Sequence, residues 1–321
     1  MDKTQYFQDI IKNSYEKLLN REPDKLGLDN YLHLLQNHEI NEFQLSELIK
    51  SSPEFLASHP KIIPNVIFPE KLENITDPKI VATFRIKNEE RWIGESLKAA
   101  SEICQEIVIL DDGSTDNTLK ICKKFPKVVD IHSQANLPHD DVRDKNILLK
   151  MALKLEPDFL LVMNGDEVIM PNMKQILKED LCVLYPQTDV FHVKYLEMRD
   201  KPNQFRTNDT TTTNFHASIL RMKNQPNDLL YEEMNFPGNL HCPLIPQNAI
   251  GQDNIVKSRF KILHYGAYDE KSRQKRYQFL TKLDPNNTDF FGYEHIIHPE
   301  KFCGPLQYAF LPKGSYIESI K

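Results

Sequence analysis

The chain has 321 residues and a formal net charge of −6 at pH 7. Its length suits one large domain plus a small module, because domains commonly contain about 100 to 200 residues. The net negative charge argues against a nucleic-acid partner, which requires a positive surface to neutralise phosphates. The five cysteines are widely spread, without the close pairs of a zinc or dithiol motif, and this pattern fits a reducing compartment.

The amino terminus and the hydropathy pattern predict a cytoplasmic protein without a transmembrane segment. The first residues are charged and polar, unlike the apolar core of a signal peptide. The longest wholly apolar run, residues 159–163, is far shorter than the about 18 residues that a membrane span requires. Peripheral association with a membrane is compatible with this prediction.

Residues 1–58 are predicted to form a small all-α domain. Apolar residues recur at helical spacing in three segments, and Pro23 precedes the second of them, where a helix start is favoured. The following residues contain Pro60, Pro64 and Pro69, and proline disfavours helix in its own and the preceding position. We therefore predict a linker over residues 59–77.

From residue 78 onwards, strand-like and helical segments alternate. The predicted strands cover residues 80–84, 106–110, 128–132 and 159–163. Helical patterns lie between them, near residues 89–101, from 116 onwards, and over 141–155. This alternation predicts an α/β domain over residues 78–289, with a mainly parallel, doubly wound sheet flanked by helices. Residues 290–321 are left as a C-terminal tail.

The run DDGSTDNT, from Asp111 to Thr118, directly follows the second predicted strand. Open α/β sheets bind ligands at the carboxyl ends of their strands. Ionised carboxylates only accept hydrogen bonds, so this run suits a ligand with N–H or hydroxyl donors, or a divalent cation. Alone, it is equally typical of a turn in which Ser114 or Asp116 caps the next helix.

Two other predicted strands bring polar residues to the same edge of the sheet. The first strand carries Thr83 and is followed by Arg85, Asn88 and Glu89. The fourth strand ends in Asn164, Gly165, Asp166 and Glu167. Because the carboxyl ends of parallel strands share one edge, the three motifs are expected to meet there. Their combination favours a ligand site over an isolated turn.

These motifs, in this order, resemble the nucleotide-sugar domain of family-2-like glycosyltransferases, which has the GT-A fold. The resemblance covers about residues 78–283. It implies that Thr83, Asn88 and Glu89 line the base and ribose pocket, although Asn88 is equally suited to cap a helix. It also implies that Asp112, supported by Asp111, accepts a hydrogen bond from the N3–H of uracil. A wrong base would leave this carboxylate unpaired, at a cost of about 1 to 3 kcal/mol.

The resemblance further implies a site for Mn²⁺ or Mg²⁺ at the end of the fourth strand. The family has Asp-x-Asp or a shorter variant there, whereas this chain has Asn164 in the first position. Asp166 alone can anchor such an ion, which commonly takes one or two carboxylates plus phosphate oxygens and water. His264 is the predicted third ligand. The alternatives are an acidic turn for Asp166 and a hydrogen-bonded structural histidine for His264.

Asn164 is expected to bond a ribose hydroxyl, and Gly165 to let the backbone approach the ligand closely. Arg85 is placed with the donor-binding residues, and Arg143 is predicted to contact the diphosphate. The helix after His264 contains basic residues that suit the departing diphosphate, or that form an ordinary solvated face. These basic residues are Lys271, Arg273, Lys275 and Arg276.

An inverting transfer needs a general base near the acceptor hydroxyl. We predict Glu232 or Glu233 for this role, with His241 as a second choice, although glutamates of this kind usually lie on the surface.

The predicted function is metal-dependent transfer of a sugar from a nucleotide-diphosphate donor, with UDP favoured, to a hydroxyl on a glycan or cell-surface precursor. The amide at Asn164 motivates one alternative, a protein that binds nucleotide sugars without turnover. A nucleotidyltransferase is a weaker alternative, because no glycine-rich phosphate loop follows the first strand.

The amino-terminal segment resembles a small bacterial helical domain of unassigned function. The resemblance rests on the pattern Arg-x-Pro-Asp-x-x-Gly-Leu over residues 21–28 and on Ser-Pro-Glu-Phe at residues 52–55. We expect this domain to dock a partner, to self-associate, or simply to cover a face of the sheet.

Overall fold

The computed structural model describes residues 3–36, 45, 49, 54, 75–134, 137–207, 215–232, 243–252, 254, 256–285, 293–303 and 305–318. The chain divides into two compact units, Met1–Asn65 and Val66–Lys321. None of the helices in these described ranges is both long and apolar enough to cross a membrane. Two of the predicted base candidates, Glu233 and His241, lie outside the described residues.

The first unit contains the helices α1 (Lys3–Leu19) and α2 (Lys25–Gln36). Their apolar faces meet in a small core that includes Phe7, Ile11 and Leu35. Most of the third predicted helix falls outside the described residues.

The second unit is built on a sheet with the strand order β3-β2-β1-β4-β8-β6-β9-β5. Its strands are β1 (Ile80–Ile86), β2 (Glu106–Asp111), β3 (Val128–Ser133), β4 (Phe159–Asn164), β5 (Glu167–Ile169), β6 (Val190–Glu197), β8 (Phe215–Arg221) and β9 (Val256–His264). The short strands β7 (Gln204–Arg206) and β10 (Tyr308–Phe310) form a separate antiparallel pair.

Strand direction decides which residues reach the ligand-binding edge. Strands β1 to β4 are mutually parallel where they pair, and β9 runs parallel to β6. Strand β8 is antiparallel to both β4 and β6, and β5 is antiparallel to β9. The prediction of a mainly parallel sheet is therefore confirmed. Because β8 runs the opposite way, its first residues lie where its neighbours end.

Helices cover both faces of the sheet, as the alternation of elements predicts. They are α3 (Ile93–Ile103), α4 (Thr118–Cys122), α5 (Asp141–Leu153), α6 (Met173–Glu179), which continues into a π-helical turn (Asp180–Leu184), α7 (Glu270–Leu283), α8 (Glu294–Ile297) and α9 (Glu300–Cys303). A hydrophobic core lies on each face of the sheet, and successive residues of β1 point alternately into one core and the other. Ala82 and Phe84 pack with Leu97 of α3, and Val81 packs with Leu148 of α5.

Candidate active site

The carboxyl ends of β1, β2 and β4 lie side by side. Ile86 is the register partner of Asp111, and Arg85 is the partner of Asn164. Strand β5 turns back after β4, and its first residue, Glu167, pairs with His264 at the end of β9. The predicted residues thus fall into two polar groups at this edge, one beside α5 and the other where β4, β5 and β9 meet.

Part of the DDGSTDNT run forms a turn. The carboxylate of Asp111 accepts a hydrogen bond from the backbone N–H of Ser114 at 3.2 Å, and Gly113 has a φ of 78°. The carboxylate of Asp116 accepts from the N–H groups of Thr118 (2.9 Å) and Glu90 (3.2 Å). These two aspartates fold the loop, as the turn interpretation expects.

Asn88 joins this turn to the loop after β1. Its side-chain oxygen accepts a hydrogen bond from the N–H of Thr115 at 2.7 Å, and its own N–H donates to the hydroxyl of Ser114 at 2.9 Å. The residue has a φ of 55°, a conformation that asparagine tolerates better than most residues. Asn88 therefore fixes the shape of the edge, and helix α3 begins five residues later.

Asp112 is the acid of the run that points away from the turn. Its buried carboxylate accepts hydrogen bonds from the Lys87 ammonium at 3.1 Å and from the Gln134 amide at 3.2 Å. The Lys87 side chain is 47% exposed, so its contact with Asp112 reaches the surface. A ligand that bonds to Asp112 has to displace or rearrange this lysine.

A second carboxylate, Asp144 of α5, ties the predicted donor-binding arginines together. Although fully buried, it accepts hydrogen bonds from Arg85 Nε (2.8 Å), Arg143 Nη2 (2.7 Å) and Gln134 Nε2 (2.8 Å). We call Arg85, Asp112, Gln134, Arg143 and Asp144 the Asp144 network. Both arginines are held by protein carboxylates here, and Thr83 is buried on the same face of the sheet.

Three potential metal ligands converge at the second group. One ligand atom each from Asp166, Glu167 and His264 lies within 4.8 Å of the other two. We call these residues the metal-site cluster. The turn from β4 to β5 supplies the two acids, and the backbone N–H of Tyr265 fixes the turn by donating to the Asp166 carbonyl at 2.9 Å.

Glu197 of β6 orients the imidazole of His264. The two residues are register partners, and His264 Nδ1 lies 2.7 Å from Glu197 Oε1. The other nitrogen, Nε2, lies 3.5 Å from Asp166 Oδ2. A carboxylate behind a metal-ligating histidine fixes its tautomer and raises its basicity. Glu197 therefore turns Nε2 towards the cluster.

The charges of these residues are strongly coupled. Burial lowers the pKa of His264, but the carboxylates of Glu197 and Asp166 outweigh it and hold that pKa well above 6.5. Burial raises the pKa of Glu197, but His264 outweighs it and brings that pKa to about 2. Without a bound cation, His264 thus serves as the positive charge between the two acids.

Asn164 and Glu167 are bonded to each other. The Glu167 carboxylate accepts hydrogen bonds from the Asn164 backbone N–H (3.0 Å) and side-chain amide (2.7 Å), and from the Tyr195 hydroxyl (3.3 Å). Asn164, predicted to contact a ribose, therefore positions a carboxylate of the metal-site cluster. Burial raises the pKa of Glu167.

Glu89 packs against Gly165 beside the metal-site cluster. A Cβ atom on Gly165 would lie 2.6 Å from Glu89 Cγ, so the glycine makes room for this side chain. Burial, with a further contribution from Asp166, raises the pKa of Glu89 to about 9. Glu89 is consequently protonated at neutral pH and able to donate a hydrogen bond.

Gly266 and helix α7 close the other side of the cluster. A Cβ atom on Gly266 would lie 2.5 Å from both Arg276 Nη1 and Asp166 Oδ2, and 2.8 Å from His264 Nε2. Of the basic residues on α7, Arg276 is thus placed at the cluster. Arg273 instead pairs with Asp200 at 3.1 Å.

The residues present fit a bound Mn²⁺ or Mg²⁺ ion. Two carboxylates suit either ion, and imidazole is a ligand of transition metals, which favours Mn²⁺. The bond from Glu197 to His264 Nδ1 leaves Nε2 as the available ligand atom. Gly266 adjoins both ligand atoms, because a Cβ atom on it would lie 2.8 Å from His264 Nε2 and 2.5 Å from Asp166 Oδ2.

Glu232 lies apart from the metal-site cluster. It is exposed, and its backbone bonds to the side chain of Gln247, with its N–H donating to Oε1 at 3.1 Å. The preceding residue, Tyr231, is fixed to Asn146 of α5, whose side chain accepts from its N–H at 3.0 Å. Glu232 therefore sits near α5, on the side of the Asp144 network.

Several residues that shape the site have no role that the sequence alone predicts, namely Glu167, Glu197, Gly266, Gln134 and Asp144. Glu167 follows Asp166 directly in the sequence, and this second acid could have been predicted as a further metal ligand. Glu197 reaches His264 through the pairing of β6 with β9, which no local pattern reveals.

Residues 85–235, slightly less than half of the chain, match the family model described as glycosyl transferase family 2. No curated protein sequence matches the chain.

Among solved structures, S. aureus TarS 1–349 is 19% identical with a TM-score of 0.41, and covers 70% of this chain and 70% of that chain. The same region of TarS in complex with UDP is 18% identical, with a TM-score of 0.40 and the same coverage. Glucosyl-3-phosphoglycerate synthase from Mycobacterium tuberculosis, in complex with Mn²⁺, UDP and glucosyl-3-phosphoglycerate, is 16% identical with a TM-score of 0.27. That match covers 37% of this chain and 44% of the synthase.

These structural similarities are too low to transfer a residue role or a ligand. The family match instead covers β1 from Arg85 and all of β2 to β8, and so contains the strand ends of the edge except that of β9, which carries His264. Residues 85–235 therefore form a region similar to the family 2 glycosyltransferases, and this region supplies most of the ligand-binding edge.

Proposed function

We propose that the protein transfers a sugar, with inversion, from a UDP-sugar to a hydroxyl of a glycan or cell-surface precursor, and that it requires Mn²⁺ or Mg²⁺. The observation that carries this proposal is the metal-site cluster at the carboxyl end of β4. Its acids outnumber its cations, and the family-2 match makes a nucleotide sugar the expected ligand of this edge. The cytoplasmic location remains a prediction from the sequence.

The metal-site cluster is suited to the leaving group. Asp166, Glu167 and His264 would hold the ion, which when bound neutralises the diphosphate charge that develops as the glycosidic bond breaks. The guanidinium of Arg276 adjoins Asp166 and offers further hydrogen-bond donors to a phosphate. The protonated carboxyl of Glu89 adds another donor at neutral pH.

Base recognition is proposed for Asp112. Its carboxylate faces Lys87, whose exposed side chain can yield to a base edge. An incoming N3–H of uracil would replace the lysine hydrogen bond, whereas a base that offers only an acceptor there would leave the buried carboxylate unpaired. The Asp144 network then supports Asp112 from behind through Gln134.

The proposal is tested by incubating the protein with Mn²⁺ and individual UDP-sugars and measuring UDP release. We expect steady release that EDTA abolishes. Because metal coordination supplies several kcal/mol of transition-state stabilisation, Asp166→Ala should lower the rate by about 10³-fold or more. The exposed Asp130 of β3 provides the matched control, Asp130→Ala, which should retain the wild-type rate.

A protein that binds nucleotide sugars without turnover is the second candidate, favoured by the amide at Asn164. It predicts saturable UDP-sugar binding, measured by calorimetry, with no UDP release above the Asp166→Ala background. Steady release by the wild-type protein contradicts it.

The acceptor and the role of the amino-terminal unit are separate proposals. We propose that residues 1–58 recruit an acceptor or partner, or self-associate. Deleting them should then reduce transfer to the natural acceptor while leaving hydrolysis of the donor intact.

A further inference from the structure

A histidine outside the metal-site cluster, His216, lies at the same edge of the sheet. It is the second residue of β8, which runs opposite to β4 and β6 and therefore begins where they end. His216 pairs with Val193 of β6, so it shares a face of the sheet with Tyr195 and Glu197, which lie two and four residues further along β6. Strand pairing thus places His216 on the same face of the sheet as Glu197 and His264.

The ring of Tyr195 links His216 to the metal-site cluster. Its centroid lies 4.8 Å from that of His216, at an interplanar angle of 82°, and 6.3 Å from that of His264, at 76°. The Tyr195 hydroxyl donates to Glu167 Oε2 at 3.3 Å. His216 is therefore separated from the cluster by the Tyr195 ring, and the residue is exposed although protein surrounds much of its imidazole.

The carboxylates nearest to this point already have other roles. Asp166 and Glu167 belong to the metal-site cluster, and Glu197 is bonded to His264. Glu89 packs against Gly165 beside the metal-site cluster, where it is proposed to donate to the diphosphate. Among the residues that the structure describes on this face, His216 is the accessible group suited to accept a proton.

The protonation state of His216 fits this role. Burial by the surrounding protein lowers its pKa below 6.5, the nearby charge of Glu197 opposes that shift, and His264 adds to it. The groups that face it are Tyr195 and Glu197 from β6 and His264 from β9. The imidazole is consequently neutral above pH 7.

We propose that His216 is the general base that removes the proton from the acceptor hydroxyl. This inference rests on the proposed transferase function and assigns to His216 the role predicted for Glu232 or Glu233. As the acceptor oxygen bonds to the anomeric carbon, its proton passes to an imidazole nitrogen. The bond between that carbon and the diphosphate oxygen breaks, and its electron pair leaves with UDP. The imidazolium then returns the proton to water.

The test uses the full chain, Mn²⁺ and the UDP-sugar that the wild-type protein hydrolyses fastest, with water as the acceptor. General-base catalysis contributes about 10²- to 10⁴-fold, so His216→Asn should lower kcat for UDP release by this factor. The dissociation constants for Mn²⁺ and UDP should stay within about threefold of wild type. His132, an exposed histidine of β3, provides the control variant His132→Asn, which should retain wild-type kcat.

Two further readouts separate a base from a structural residue. The wild-type kcat should fall on the acid side with a midpoint below pH 6.5, and His216→Asn should lack this limb. Added imidazole should restore activity to His216→Gly. Wild-type kcat in His216→Asn overturns the inference but leaves the transferase function standing, and so does a loss explained by weaker Mn²⁺ or UDP binding. Absence of UDP release from the wild-type protein would instead refute the proposed function itself.

Discussion

Two charged groups share the carboxyl edge of the sheet, and they differ in how their charges are balanced. In the Asp144 network, the carboxylates of Asp144 and Asp112 are saturated by Arg85, Arg143, Lys87 and an amide. In the metal-site cluster, Asp166 faces one histidine and the adjacent Arg276. The first group is neutralised within the protein and stabilises the fold, and only the exposed Lys87 can yield its place on Asp112 to a ligand. The second is suited to take up an added cation.

Removing the central carboxylate of the first group should have the largest effect on stability. Asp144→Asn removes the buried charge that Arg85 and Arg143 share, and breaking a buried pair costs about 3 to 5 kcal/mol. We expect a loss of about 3 kcal/mol in the free energy of unfolding, measured by urea denaturation. Asp130→Asn, on the exposed face of β3, is the matched control and should change it little. A loss below about 1 kcal/mol, the value typical of surface pairs, would show that the network is not the stabilising unit.

A change in the metal-site cluster should lower its affinity for a divalent cation. Glu197→Gln keeps a hydrogen-bond acceptor behind His264 but removes its charge, and changes behind a metal ligand typically cost about 10- to 100-fold in affinity. The Mn²⁺ affinity, measured by calorimetry or by electron paramagnetic resonance, should fall by this factor. Glu102→Gln on the exposed side of α3 should leave it unchanged. Equal Mn²⁺ affinity in wild type and Glu197→Gln would mean that Glu197 has no orienting role.

The smallest expected effect concerns the anchor of helix α7, which carries Arg276. Asp269 caps this helix by accepting from the Ser272 N–H at 2.8 Å, and it pairs with Arg91 at 2.7 Å. Burial raises the pKa of Asp269, but the bonds from Ser272 and Arg91 outweigh it and bring the pKa to about 2. Asp269→Asn keeps a capping side chain and removes the charge, so it should cost about 0.5 to 1 kcal/mol at pH 7.

The sign of the pH dependence follows from this depressed pKa. The charge of Asp269 contributes stability above its ordinary pKa of 3.8, and this contribution is lost as the pH falls towards about 2. The stability difference between wild type and Asp269→Asn, measured by urea denaturation from pH 7 to pH 3, should therefore shrink below about pH 4. A difference that grows in acid would contradict the assignment.

The sequence predicted the strands and the edge well, because local patterns determine them. The β-strand predicted at residues 106–110 is observed as Glu106–Asp111, and the one predicted at 159–163 as Phe159–Asn164. Each is an apolar run followed by polar residues, and both signals are local. The helix predicted near residues 89–101 begins only at Ile93, because the backbone first turns at Glu89.

The partners of the site residues were harder to predict. Arg85 reaches Asp144, 59 positions away, and Glu197 meets His264, 67 positions away. These pairings depend on strand register and on the packing of α5, neither of which leaves a local pattern. The insertion of the antiparallel β8, which brings His216 to the edge, likewise depends on the order of strands in the sheet.

Gly266 has a consequence for how the proposed metal site can be engineered or blocked. A single methyl group there would lie within 2.8 Å of Asp166, His264 and Arg276 at once, so these side chains would have to shift to admit it. The side chain at position 266 is therefore restricted by its size and not by its charge. Gly266→Ala is therefore expected to displace the ligand atoms of the site while leaving every acid, base and cation of the cluster in the sequence.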